Sequence, residues 1–265
     1  MKNIKKQREK YPSLSQKVIE QSGIILEILD ARFISRTRNI DFEEMIKKKG
    51  KKIIYVLNKA DLIEKEKTNS EELEKIIPYE FVSCKKREGI KKLRDRIKAE
   101  AKKINSSDRI TVGVIGYPNT GKSSVINLLS GKSSAGTGAD AGFTKGIQKI
   151  KLAKNIILMD TPGVIPEKEY SNVKKELITK HTIVGGRSYS QVKEPEMIVA
   201  GIMVEFPGIL EKYYKIDEEG DSEKLIKEIG SKKGFLKKGG VVDEDKSSRF
   251  ILKEWQEGKI KAYDL

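Results

Sequence analysis

Cysteine is almost missing: Cys84 is the only one in 265 residues, which excludes an internal disulfide and a cysteine-rich zinc site. A reducing, cytoplasmic setting is the expectation. Histidine is as scarce, with His181 alone, and a lone histidine is more often structural than catalytic. No stretch approaches the roughly 18 consecutive apolar residues of a membrane span, so no membrane partner is expected. The charged start MKNIKKQREK has no apolar segment behind it, and no secretory signal is expected. Acidic side chains are outnumbered, 39 Asp and Glu against 54 Lys and Arg, for a formal charge of +15. Such an excess favours polyanions through counterion release, and RNA is the commonest one in cytoplasm. A composition rich in Lys and Glu and poor in Gln also marks thermophile surfaces, but those should balance their charges better. A long basic amphipathic helix with aromatic anchors is lacking, which weighs against a membrane surface.

Internal repeats are absent as well. Apolar runs instead alternate with helical patterns. Strands are predicted at Ile24–Leu29, Ile53–Leu57, Glu80–Ser83, Ile110–Ile115, Gly146–Leu152 and Asn155–Met159. Helices are predicted near Ser13–Gln21, Phe42–Lys48, Ser70–Ile77, Ile90–Lys103 and Lys122–Leu129. This alternation predicts an α/β fold, a mostly parallel sheet with helices on both faces. After about His181 the strand pattern stops. A helix is expected from Pro195 towards Glu205, another from Asp221 or Ser222 with Gly230 as its stop, and a last one from Asp243 to Gly258. The reading is a nucleotide-binding domain over residues 1–184 and a small, mainly helical C-terminal domain over 185–265, joined by the polar stretch Gly185–Lys193. A monomer is expected.

The run Gly116-Tyr-Pro-Asn-Thr-Gly-Lys-Ser123 matches G-x-x-x-x-G-K-[ST] in full, between a predicted strand and a predicted helix. Its backbone N–H groups, from Asn119, Thr120 and Gly121 to Ser124, can turn inward around phosphates at a helix N-terminus. Lys122 can reach the β- and γ-phosphates, and the Ser123 hydroxyl can ligate Mg²⁺. Asp160-Thr-Pro-Gly163 follows another apolar run. The Asp160 carboxylate at the strand end can hold Mg²⁺, and Gly163 can offer its N–H to a γ-phosphate. Thr144 lies between these motifs, placed to close over the γ-phosphate and complete the Mg²⁺ shell.

Asn58-Lys-Ala-Asp61 follows the strand Ile53–Leu57. A carboxylate accepts two hydrogen bonds and so matches the N1–H and N2–H₂ donors of guanine; adenine lacks that pair. Lys59 can lay its aliphatic stem over the base, and Asn58 can tie this loop to the phosphate loop. Ser83-Cys84-Lys85 ends the next strand, where the serine can hold Asp61 and a backbone N–H can reach guanine O6. This pairing of motifs weighs against a nucleoside kinase. The base-reading motifs come before the phosphate loop, the reverse of the familiar order. Domain termini lie close enough for such a rejoining, and the segment Arg87–Asp108 supplies a helix and loop to make it.

With these residues the chain resembles the circularly permuted ribosome-assembly GTPases, the family that contains the bacterial YlqF type and the eukaryotic nucleostemin type. Asp30-Ala-Arg32 is similar to that family's D-A-R signature, as are GYPNTGKSS at Gly116–Ser124, GFTKG around Thr144, and DTPG at Asp160. The resemblance covers roughly the first two-thirds; the helical tail fits more loosely. It implies GTP hydrolysis to GDP coupled to maturation of the large ribosomal subunit, with rRNA as partner. A GTP-sensing RNA-binding scaffold with negligible hydrolysis, or a GTPase of RNA modification or translation, would carry the same motifs. Val164 stands where many GTPases place a water-orienting glutamine, so slow intrinsic hydrolysis is expected. In related GTPases lacking that glutamine, an asparagine at the position of Asn119 can ligate K⁺; the alternative is that Asn119 only shapes the loop. The basic runs Lys47–Lys52 and Lys232–Lys238 are candidate RNA contacts, although such runs are usually solvated faces.

Overall fold

Seven consecutive residues with the sequence IILEILD are buried along their whole length and form the central strand β1 (Ile24–Asp30). Such a run, apolar on both faces, belongs in the middle of a parallel sheet. In the computed structural model, which describes residues 13–104, 109–131, 147–166, 175–216 and 220–260, β1 lies between two parallel neighbours. They are β2 (Lys52–Asn58) and β4 (Ile110–Gly116). The sheet is completed by β3 (Tyr79–Phe81), β5 (Gln148–Ala153) and β6 (Ile156–Asp160), in the order β3-β2-β1-β4-β6-β5. Only β5 runs antiparallel, paired with β6.

Helices cover both faces. On one, α5 (Ile90–Lys103) and α6 (Lys122–Ser130) bury Leu93, Ile97, Val125 and Leu129 against Leu26, Val112 and Leu158. On the other, helix α1 (residues 13–21) and α3 (Ile40–Lys48) bury Ile19, Phe42 and Ile46 against Ile25, Leu29 and Tyr55. Short helices α2 (Ile34–Thr37) and α4 (Ser70–Glu74) lie in the connections. Lys51 closes the C-terminal end of α1, its ammonium donating to the carbonyls of Ile19, Glu20 and Ser22 at 2.6, 2.5 and 2.8 Å. Arg94 of α5 likewise donates to Leu128 and Leu129 at the end of α6, at 3.2 and 2.8 Å. The connector helix that the permuted order requires thus braces the helix behind the phosphate loop.

The chain divides into two compact units, Met1–Tyr170 and Ser171–Leu265. The division falls upstream of the residue 184 expected from the sequence. Helix α7 (Lys175–Ile183) groups with the C-terminal helices, because the fully buried Trp255 donates its indole N–H to the Ile183 carbonyl at 2.9 Å. The second unit also contains α8 (Pro195–Glu205), α9 (Ile209–Tyr214), α10 (Ser222–Lys233) and α11 (Glu244–Gln256). Asp221 and Asp243 cap α10 and α11 as their sequence positions predict. Gly230 does not stop α10. The helix runs on to Lys233, where Gly234 closes it in a left-handed conformation, φ 67°; Gly230 is instead a packing glycine, where a Cβ would lie 2.4 Å from the Ser247 hydroxyl. Nor is Gly185–Lys193 a loose joint. Arg249 donates to the carbonyls of Tyr189 and Val192, and the Gln256 amide to those of Thr182 and Arg187, all at 2.8–2.9 Å. Two polar side chains of α11 satisfy the backbone of a stretch that composition alone marks as linker.

Candidate nucleotide site

Because β1, β2, β3, β4 and β6 run parallel, their C-terminal ends share one edge of the sheet, the edge at which open α/β sheets bind ligands. Asp30, Asn58, Gly116 and Asp160 are the last residues of β1, β2, β4 and β6. Ser83 lies two residues beyond β3.

The phosphate loop joins β4 to α6. Asn119 and Gly121 both take left-handed backbone conformations, with φ of 59° and 94°. A Cβ at Gly121 would lie 2.2 Å from the Asn58 side-chain nitrogen, so only glycine fits there. Lys122 opens α6 and is buried, its ammonium donating to the Tyr117 carbonyl at 2.8 Å. Thr120 donates its hydroxyl to the same carbonyl at 3.0 Å. Burial lowers the Lys122 ammonium to about 8, against the opposing pull of Asp160. A desolvated cation at a helix N-terminus is a strong receiver for phosphate oxygens. Ser124 follows in the first turn of α6, half-buried.

Ser123 donates its hydroxyl to Asp160 Oδ2 at 3.2 Å, and Asp160 Oδ1 is buried with no hydrogen-bond partner. Burial raises the Asp160 carboxyl above its ordinary value, opposed by Lys122, the Ser123 hydroxyl and the Thr161 N–H. An orphaned carboxylate oxygen beside a hydroxyl is an oxygen-only donor set that fits Mg²⁺, an ion that completes its shell with water and phosphate. No group of three or more His, Cys, Asp and Glu among the described residues could hold a metal unaided. Gly163 sits against the phosphate loop, where a Cβ would come within 2.7 Å of Pro118 Cα and 2.9 Å of the Lys122 ammonium. Thr144 lies outside the described residues. Val164 is buried in the apolar cluster that contains Leu29 and Ile115, and its N–H donates to the Gly116 carbonyl at 3.3 Å. His181 is buried on α7, in the second unit.

On the base side, Ser83 donates its hydroxyl to Asp61 Oδ1 at 2.6 Å and accepts from the Lys86 N–H at 3.0 Å. Asn58 donates to the Thr120 carbonyl at 2.8 Å and accepts from the Cys84 N–H at 3.4 Å. One buried amide therefore joins the phosphate loop to both base-side loops. Burial, with the charge of Asp61, pushes the Cys84 thiol up to about 12, so it stays protonated and unreactive. Lys85 is exposed. Sequence reasoning attached no role to Asp30 and Arg32 beyond a signature. In the structure they form a buried cluster with Lys59, whose ammonium lies 2.7 Å from Asp30 Oδ2.

A phosphate loop, a carboxylate at a strand end and an anchored base-side aspartate, with the base motifs first in the chain, define a permuted P-loop GTPase fold. The family described as "50S ribosome-binding GTPase" matches residues 111–224. An uncharacterised GTP-binding protein of Methanocaldococcus jannaschii is 42% identical over 94% of this chain and 65% of its own. Nucleolar GTP-binding protein 2 of Saccharomyces cerevisiae is 34% identical over 94% of this chain and 52% of its own. The chain thus spans roughly half to two-thirds of the length of such relatives. Among solved structures, GNP-bound YlqF from T. maritima is 24% identical with a TM-score of 0.66, covering 96% of each chain. GDP-bound YlqF is 25% identical with a TM-score of 0.62, over 92% of this chain and 94% of that one. The chain is similar to these GTP-binding proteins and shares the fold of YlqF.

Proposed function

We propose that this protein is a GTP-binding, GTP-hydrolysing switch that acts in assembly of the large ribosomal subunit. The observation that carries the reading is the joint through Asn58. It ties a loop built for phosphates, through the Thr120 carbonyl at 2.8 Å, to the Ser83–Cys84 loop, through the Cys84 N–H at 3.4 Å, and Ser83 of that loop anchors the guanine-reading Asp61. The assembly role rests on the family description and on relatives named as nucleolar GTP-binding proteins. The charge of +15 supports rRNA as the partner surface.

In this reading Asp61 accepts the guanine donors, Lys59 covers the base, and the N–H groups of Asn119 to Ser124 surround the phosphates. Lys122 binds and orients the β- and γ-phosphates, and Gly163 offers its N–H to the γ-phosphate. Ser123 and Asp160, with Thr144, hold Mg²⁺. When bound, the ion offsets charge on the phosphate oxygens. Val164 is turned into the core, so the water must be ordered by something other than the residue after the glycine. Asn119, at the left-handed position of the loop, is our candidate for a K⁺ ligand that supplies part of what is missing. The second unit follows the Asp160–Gly163 segment directly in the chain, and we assign it the reading of nucleotide state.

The experiment is GTP turnover with and without large ribosomal subunits, in K⁺ and in Na⁺. Stimulation by subunits that requires K⁺ is expected. Tight GTP and subunit binding with no turnover in either salt would instead establish a GTP-sensing scaffold, the reading that the buried Val164 favours.

A further inference from the structure

We infer that Asp30, backed by Arg32, is a positioning residue for the base site: it holds the Lys59 ammonium so that the lysine stem is already laid out as a wall for the purine. This rests on the guanine reading of Asp61 and Lys59 given above.

Asp30 ends β1 with no exposure to solvent, and in the sheet it stands opposite Asn58, the residue before Lys59. Its carboxylate receives a full set of donors. Oδ1 accepts from the Arg32 N–H at 3.1 Å and from Arg32 Nε at 3.0 Å. Oδ2 lies 2.8 Å from Arg32 Nη2 and 2.7 Å from Lys59 Nζ. Burial alone would raise this carboxyl, but the two cations override it and hold it well below the usual carboxylate range. The backbone is fixed too. The Asp30 N–H donates to Thr37 Oγ1 at 3.1 Å, and the Ala31 N–H donates to the Asn58 carbonyl at 2.8 Å.

Arg32 by itself would neutralise Asp30, and its side chain is 1% exposed. The bond to Lys59 is additional, and it falls on the residue between the amide tie and the guanine acceptor. Lys59 also adopts a left-handed backbone conformation, φ 63°, which is uncommon for a residue with a Cβ. A free lysine stem carries rotamer entropy that would have to be lost as the base arrives. Anchoring the ammonium beforehand removes much of that loss. The side chain is then an ordered surface before nucleotide binds.

The test uses the full chain and three displacing probes, GDP, IDP and pyrophosphate, with Asp30→Asn, Lys59→Met and the double variant. A wall acts on the ring system and not on the C2 amino group. Asp30→Asn should therefore weaken GDP and IDP by the same factor, about tenfold, and leave pyrophosphate unchanged. Lys59→Met, which keeps the stem and spares the Asp30–Arg32 pair, should reproduce this, and the double variant should be no worse than either single one. Unaltered GDP affinity in Lys59→Met would overturn the inference, even if Asp30→Asn fails to fold. So would an equal loss of pyrophosphate, which marks general collapse of the loops, or a changed GDP to IDP ratio, which would place the effect on Asp61. A wild-type protein that prefers ADP to GDP would sink the guanine reading itself, a result visible before any variant is made.

Discussion

Asn58 donates its side-chain amide to the backbone carbonyl of Thr120 at 2.8 Å, across 62 positions of sequence. In the permuted chain the base-side loop comes first, yet this bond closes the same ring of contacts that the familiar order would build. Connectivity changed; the edge of the parallel sheet where the loops meet did not.

Asn58→Ala should affect stability and binding together. It leaves the Thr120 carbonyl without its partner in a residue with no solvent exposure, a loss of about 1–3 kcal/mol. It also uncouples the two loops, and GDP affinity should fall at least tenfold. Thermal denaturation with and without GDP measures both. An unchanged midpoint and unchanged GDP-induced shift would show that the tie is dispensable.

Asp61→Asn should exchange guanine for xanthine. The amide keeps an oxygen for the Ser83 hydroxyl and the N1–H, but now presents a donor where guanine also presents one. Xanthine has a carbonyl at that place. GTP affinity should fall roughly a hundredfold or more while XTP affinity rises, as read by competition between the two. Retained preference for GTP would remove Asp61 from the base site.

Much of this was legible in the sequence, for identifiable reasons. Strands such as Ile24–Leu29 are buried on both faces and read as unbroken apolar runs. The glycines of the phosphate loop are dictated by close approach, and Asp221 and Asp243 are caps of ordinary chemistry. What escaped depends on contacts between distant residues. Glu27 stands fully buried inside an apolar strand because α3 brings Glu43 to it and the Asn39 N–H donates to it at 2.8 Å. Helix α7 joined the second unit through side chains of α11, the Trp255 indole on Ile183 and the Gln256 amide on Thr182. The stretch before α8 reads as linker until Arg249 and Gln256 are folded onto it. Asp30 was visible as a signature, but its bond to Lys59 needs the register of β1 with β2.

Val164→Gln should not create a faster enzyme. The side chain at this position is 6% exposed and packs with the apolar cluster under β1 and β4, so a glutamine there has no path to the nucleotide. Burying its amide should cost about 1–3 kcal/mol. Single-turnover GTP hydrolysis should be no faster than wild type, and urea denaturation should shift to lower concentration. A rate increase of tenfold would mean that the segment after Gly163 turns outward when nucleotide binds.

Glu27→Gln should stabilise the protein at neutral pH and do so less and less on acidification. Glu27 has no solvent exposure, and burial, followed by the charge of Glu43, raises its carboxyl well above the usual value, against the Asn39 N–H and Arg38. In the unfolded chain it should titrate at about 4.3. Between that value and the raised native one, the folded state holds a proton that the unfolded state has released. Wild-type stability therefore declines as pH rises through this window, and none of this contribution is lost below it. Glutamine keeps an oxygen for Asn39 and an N–H for Glu43 but has no proton to lose. The difference in melting temperature should be near zero at about pH 4 and grow in favour of the variant towards pH 7. A difference that stays constant across this range would mean that Glu27 titrates normally and that its burial is offset by other groups.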